Sequence, residues 1–265
     1  MNFRNIVLCT PLVLAVAVGL APAALRSEIG IDHQWKFIRQ DVAGAEAAGF
    51  DDSGWQTVNL PHTWNNMDGE DGGNDYYRGP AWYRRHLLVD RKHAGNSLFL
   101  KFDGAATVAD VFVNGQPAGT HRGNFGAFCF DVTSLMRVGQ DNIIAVKVNN
   151  ALNPDVTPLD GDFTIFGGLY RNAHLLVLDK LSISPLDYAS SGVYIKQASV
   201  TPESANVEIT TRLRNADGAA KSADVRCTIA DAAGKTVAQT DSRQNVPAGG
   251  AGDAVQSLTI SKPHL

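Results

Sequence analysis

Cysteine is scarce in this 265-residue chain, which has only three. Cys9 sits in an N-terminal apolar stretch, and Cys129 and Cys227 lie far apart in the remainder. A disulfide framework needs closely knit pairs, so stability must come from burial rather than covalent staples. Cys129, in Phe128-Cys129-Phe130, reads as a small buried side chain. No His/Cys cluster has zinc spacing. Runs of basic residues are also missing, and the formal net charge is −4 with a pI near 5.9. A nucleic-acid surface needs a concentrated positive field, so nucleic acid is excluded as a partner. Long helical periodicities are lacking, while Gly (25) and Pro (11) are plentiful. With 44% hydrophobic residues, 19% charged and a mean hydropathy of −0.11, the chain is neither disordered nor a multi-span membrane protein.

What is present begins with an export signal. Arg4 supplies a short positive region, Ile6 to Ala21 carries no charge, and Ala21-Pro22-Ala23 places small residues at −3 and −1 of a cleavage site. This predicts a secretory signal peptide over residues 1–23, cut after Ala23. The apolar run is short of the ~20 residues of a spanning helix. The mature chain is expected to be periplasmic or extracellular, with no membrane attachment after cleavage.

The rest reads as strands. Alternating or β-branched runs closed by turn residues occur at 82–89, 97–102, 109–113, 128–132, 142–148 and 173–178. Asn114-Gly115 is a hairpin signal, because both residues tolerate the positive φ of a type I′ turn. One short helix is plausible at 42–48. The pattern predicts an all-β jelly-roll sandwich over residues 24–181. The Ser/Pro/Asp-rich stretch Ser182-Ile183-Ser184-Pro185-Leu186-Asp187 then marks a change of composition. Beyond it, runs at 192–197, 205–215, 223–231, 235–242 and 254–261 predict a second, immunoglobulin-like sandwich over 182–265. About five strands are countable where such a fold has about seven, which leads us to expect a truncated domain.

Several segments resemble one family in order. They are Phe50-Asp51-Asp52-Ser53-Gly54-Trp55, Leu60-Pro61-His62-Thr63-Trp64-Asn65, Tyr77-Arg78-Gly79-Pro80-Ala81-Trp82-Tyr83-Arg84-Arg85, Phe102-Asp103-Gly104-Ala105, Val111-Phe112-Val113-Asn114-Gly115, Phe128-Cys129-Phe130-Asp131-Val132-Thr133 and Gly167-Gly168-Leu169-Tyr170-Arg171. Together they resemble the sugar-binding domain of glycoside hydrolase family 2, which includes β-galactosidases, β-glucuronidases and β-mannosidases. The resemblance implies a (β/α)₈ barrel following the two sandwiches, in the same chain or on another, bearing the acid/base and nucleophile carboxyl groups. No catalytic residue is therefore expected here, and the chain alone is expected to hydrolyse nothing.

The resemblance also nominates sites. Asp162 stands nine residues before Arg171, the spacing at which β-galactosidases of the family place an Asp that helps hold a sodium ion. Sodium shared with the barrel is the one cofactor implied, since a single carboxylate cannot make a site, and Asp160 is a nearby helper. Asn74, Asp75 and Tyr76 lie in a loop that family members extend toward the sugar, where amides and carboxylates bind hydroxyls and an aromatic face stacks on C–H groups. Arg171 is read as a structural residue, pairing with a carboxylate such as Asp103 or Asp131. His62 and Trp64 are read as packing inside the sandwich, as are Trp35, Trp55 and Trp82. The expected partner is a carbohydrate with a terminal β-linked sugar, with galactose suggested by the Asp162 spacing. The alternative is a free-standing carbohydrate-binding module, which would display an aromatic platform of its own. A purely structural or adhesive sandwich is disfavoured by the motif order.

Overall fold

The computed structural model describes residues 25–67, 76–157, 159 and 164–263. Ten strands build the first sandwich: β1 (Arg26–Gly30), β2 (Trp35–Ile38), β3 (Gln56–Val58), β4 (Pro80–Leu88), β5 (Ser97–Phe102), β6 (Val108–Val113), β7 (Gln116–Arg122), β8 (Phe128–Asp131), β9 (Asp141–Asn149) and β10 (Ala173–Leu178). They form a six-stranded sheet in the order β3-β2-β4-β9-β6-β7 and a four-stranded sheet in the order β1-β10-β5-β8. All pairings are antiparallel. Sequence-adjacent strands repeatedly fall in opposite sheets, which gives the jelly-roll topology its crossovers.

Period-two alternation sets what lies between the sheets. Trp35, Phe37, Tyr83, Val111, Ile144 and Val146 from the larger sheet meet Leu98, Leu100, Phe102, Leu175 and Val177 from the smaller one in a single buried cluster. The outer face of the larger sheet is covered by its own chain. Buried Arg84 donates to the Asp52 carboxylate at 2.8 Å and to the main-chain carbonyls of Ala45, Ala47 and Phe50. His86 Nε2 lies 3.0 Å from the same carboxylate. Burial opposes ionisation of Asp52, but Arg84 and His86 outweigh it and hold its pKa below the ordinary value. Residues 42–48, where a short helix is plausible from sequence, form turns instead. The Ala45 and Ala47 carbonyls are turned toward the Arg84 guanidinium, which replaces the helical bonds they would otherwise make.

Six further strands follow: β11 (Leu181–Ile183), β12 (Val193–Val200), β13 (Ser204–Asn215), β14 (Lys221–Ala230), β15 (Thr236–Val246) and β16 (Ala251–Ser261). β13 is central, flanked by β16 on one edge and by β11 and β12 in succession on the other, while β14 and β15 form a hairpin. The inward residues Val207, Ile209 and Leu258 pack against Cys227, Ile229 and Ala238 across an immunoglobulin-like sandwich. The count is six rather than five, because the three-residue β11 has too few positions to show a period.

The two sandwiches touch through β13. Arg214 donates to the Asp131 carboxylate and lies 5.2 Å over the ring of buried Phe99, on the outer face of the four-stranded sheet. Cys129 packs on that same face against Phe99, Leu176 and Leu178. Burial pushes its thiol up to about 12. The Cys227 thiol, which donates to Gln256 Oε1 at 2.8 Å, is raised for the same reason. Neither cysteine is in a disulfide. Among the described residues no helix is long and apolar enough to cross a membrane.

Candidate functional site

Strand register brings four connections to one end of the first sandwich. Pro80 pairs with Asn149, Val108 with both Asn149 and Arg122, and Phe102 with both Phe128 and Ala173. The described parts of these connections, at 65–67, 76–79, 103–107, 123–127, 150–157 and 164–172, therefore converge on a common rim.

Two buried asparagines tie the rim together. Asn65 Oδ1 accepts from the Gly167 N–H at 2.7 Å and from Asn150 Nδ2 at 3.2 Å, while Asn65 Nδ2 donates to the Tyr77 carbonyl at 2.9 Å. Asn150 Oδ1 accepts from the Gly79 N–H at 2.8 Å, and its Nδ2 also donates to the Ile165 carbonyl at 3.0 Å. An amide presents donor and acceptor on one flat group, so each side chain can splice two loops at once. Gly167 is required beside them, because a Cβ there would stand 2.0 Å from the Trp64 ring and 2.8 Å from Asn150 Cγ. Gly168, at φ +128°, would place a Cβ 2.5 Å from the His62 carbonyl oxygen. Sequence reasoning missed the asparagine pair. The two residues are 85 positions apart, and only the place of Asn65 at the end of the Leu60–Trp64 motif hinted at it.

The residues nominated from sequence fall as follows. Asn74, Asp75, Asp160 and Asp162 lie outside the described residues, as does the stretch 1–23. Tyr76 stands on the rim, 38% exposed, with its hydroxyl donating to the Ile165 carbonyl at 2.8 Å and accepting from the Ile165 N–H. Its oxygen is thus engaged by backbone, which leaves the ring face as what it offers a ligand. His62 lies under the rim. Its Nδ1 is 2.8 Å from the Tyr83 hydroxyl, its ring is edge-on to Phe37, and burial holds its pKa below the ordinary value. Trp64 is 5% exposed and stacks on Phe37 at 6.2 Å. Arg171 departs from expectation. It donates to the main-chain carbonyls of Phe125 (3.2 Å) and Asp103 (3.4 Å) and lies over the Tyr170 ring. The two carboxylates proposed for it are taken elsewhere: Asp103 by Lys101 and His174, and Asp131 by Arg214.

Between the 123–126 turn and residues 164–170 the rim holds a pocket of about 140 Å³, whose walls include Asn124, Phe125, Phe166 and Tyr170. Phe125 and Phe166 are 67% and 46% exposed. Among the described residues no group of three or more His, Cys, Asp and Glu side chains could hold a metal ion. Asp160 and Asp162, the residues nominated for sodium, are not among the described residues.

A profile described as "Glycosyl hydrolases family 2, sugar binding domain" matches residues 28–179. The chain belongs to glycoside hydrolase family 2. It is 40% identical over 247 residues to a β-glucuronidase of Bacteroides fragilis, covering 91% of this chain and 33% of that protein. It is 30% identical to a β-galactosidase of Bacteroides ovatus, covering 91% of this chain and 28% of the relative. Among solved structures, that of Bacteroides uniformis β-glucuronidase 2 bound covalently to cyclophellitol-6-carboxylate aziridine superposes with a TM-score of 0.86 at 30% identity, over 91% of this chain and 29% of the other. This family 2 chain therefore spans about a third or less of these relatives. The matched residues carry the rim, the buried asparagine pair and the Arg84 fan.

Proposed function

We propose that this chain is the exported, non-catalytic wall of a β-glycosidase, supporting and shaping the sugar site of a (β/α)₈ barrel carried by polypeptide outside these residues. Glycoside hydrolysis needs an acid/base and a nucleophile carboxyl about 5–5.5 Å apart in retaining enzymes, and the barrel would supply both. Residues 24–181 would form the sugar-binding domain and 182–265 the immunoglobulin-like one. The observation that carries this reading is the 40% identity over 247 residues to a β-glucuronidase that is about three times as long. The rim is consistent with it. Loops spliced by buried amides present Tyr76, Phe125 and Phe166 at one end of a rigid sandwich, as a surface that must border a substrate pocket requires.

The substrate class is a terminal β-linked sugar. The 40% identity to the β-glucuronidase, against 30% to the β-galactosidase, favours a β-glucuronide, which reverses the galactoside preference suggested by the Asp162 spacing. Asn74, Asp75 and Tyr76 would contact the sugar, and Asp162 would help hold a sodium ion shared with the barrel.

The test is an assay of the purified chain with 4-nitrophenyl β-glucuronide and β-galactoside. The expected result is no release of nitrophenol above buffer, with release restored when the chain is produced in frame with a barrel encoded downstream of the Leu265 codon. Turnover by the chain alone, with host glycosidases excluded, would overturn the reading.

A further inference from the structure

A second cavity, of about 260 Å³, lies in the cleft between the two sandwiches. Its walls are His121, Ala127, Phe128 and Cys129 from the first and Leu186, Asp187, Tyr188 and Ala189 from the β11–β12 connection. The connection turns in four residues, closed by the Ser190 N–H donating to the Asp187 carbonyl at 3.0 Å. Both central residues have positive φ, 52° at Tyr188 and 53° at Ala189. That is the pattern of a type I′ turn, which Asn-Gly fills without strain and Tyr-Ala does not. The ring held by this unfavourable backbone is 89% exposed. A bulky aromatic kept at a strained position, lining a cavity and largely open to solvent, invites a functional explanation.

The surroundings say which ligand fits. The Asp187 carboxylate is fixed from behind, with Oδ2 accepting from the Tyr194 hydroxyl and lying 3.2 Å from Arg212 Nε. A carboxylate so held is a preorganised hydroxyl acceptor. The His121 ring stacks on Phe128 at 4.1 Å, and burial lowers its pKa, so it adds no positive charge at neutral pH. The cavity is smaller than the ~300–1,000 Å³ of sites that enclose drug-sized ligands, so it suits a single ring. One exposed aromatic face, one oriented carboxylate and no free cation among the lining residues describe a site for an uncharged polyol ring.

We propose that this cleft is an accessory carbohydrate-binding site that takes one neutral pyranose, with Tyr188 as its stacking face and Asp187 as its hydroxyl acceptor. It adjoins the rim at Ala127 but shares none of the residues that line the rim pocket, and it does not rest on the hydrolase reading above. It would tether the protein to saccharide without cleaving it.

The test is an amide-resolved NMR titration of the whole chain with methyl β-D-glucopyranoside, methyl β-D-galactopyranoside and methyl β-D-glucopyranosiduronate. A neutral glycoside should give saturable shifts at 121, 127–129 and 186–189, with an affinity on the order of millimolar. Tyr188→Ala should weaken binding on the order of tenfold and Tyr188→Phe should restore it, since the ring face rather than the hydroxyl makes the contact. Tyr188→Gly should weaken binding as Tyr188→Ala does while raising the melting temperature, because glycine relieves the strained φ. Failure of any neutral glycoside to saturate, shifts centred on 76, 125 and 166, equal binding of the uronide, or an unaffected Tyr188→Ala variant would each overturn the proposal.

Discussion

His62 and His121 show how burial at a single residue becomes a pH dependence. Burial lowers both pKa values from 6.5, so the unfolded chain takes up their protons more readily than the folded one. Their contribution to stability is therefore complete above about pH 6.5 and is lost as pH falls below it toward the lowered folded values. Urea unfolding followed between pH 8 and 5 should give a midpoint that declines below neutrality, and His62→Gln should make that decline shallower. A slope unchanged by the substitution would remove His62 from the account. Single residues were also the least legible part of the sequence. Asn65 and Asn150 are ordinary polar residues until the fold brings them together, and Arg84 alternates like a solvent-facing strand residue, yet it is fully buried beneath residues 45–52. The pairing expected for Arg171 failed because guanidinium chemistry is satisfied by carbonyls as well as carboxylates.

Strands long enough to show an alternation or a continuous apolar run were readable, and short or evenly exposed ones were not. β5 and β10 match their expected bounds, and β4, β6, β8 and β9 lie within a few residues of theirs. The alternation of β13 appears directly in its burial. By contrast, β1 is exposed along nearly all its length and β3 and β11 have three residues each, so no period could show. The Asn114-Gly115 hairpin is present, with φ of 53° and 82°. Its bulge was invisible in sequence. Val111 opposes Gly119 and Phe112 opposes Pro117, which leaves Ala118 as the extra residue. Gly119 lies against Phe130 of the facing sheet, and a Cβ there would stand 2.4 Å from that ring. Gly119→Ala should therefore cost about 1–3 kcal/mol by overpacking, read as a lower denaturation midpoint with an unchanged slope. A neutral substitution would mean that the Phe130 ring yields freely.

At the scale of the whole molecule, the Arg214 contact is one tie between the two sandwiches. The guanidinium is charge-paired with Asp131, 3.5 Å from Ser97 Oγ and stacked over Phe99, so it fixes an angle as well as a distance. Arg214→Met keeps the stem and removes the charge-assisted bond, worth about 1.5–3 kcal/mol. Scanning calorimetry should then resolve two transitions where the unaltered chain gives one, and a single unshifted transition would show that the sandwiches are coupled by something else. The fold class and the family motifs were legible at this scale because they are spread over many positions. The rim and the cleft were not, since each draws on segments that meet only after folding. The two thiols carry a different consequence. Oxidants attack the thiolate, and with Cys129 pushed up to about 12 and Cys227 also raised, almost none of either exists at neutral pH. In an oxidising medium these two thiols can thus stay unpaired without forming mispaired crosslinks or covalent dimers.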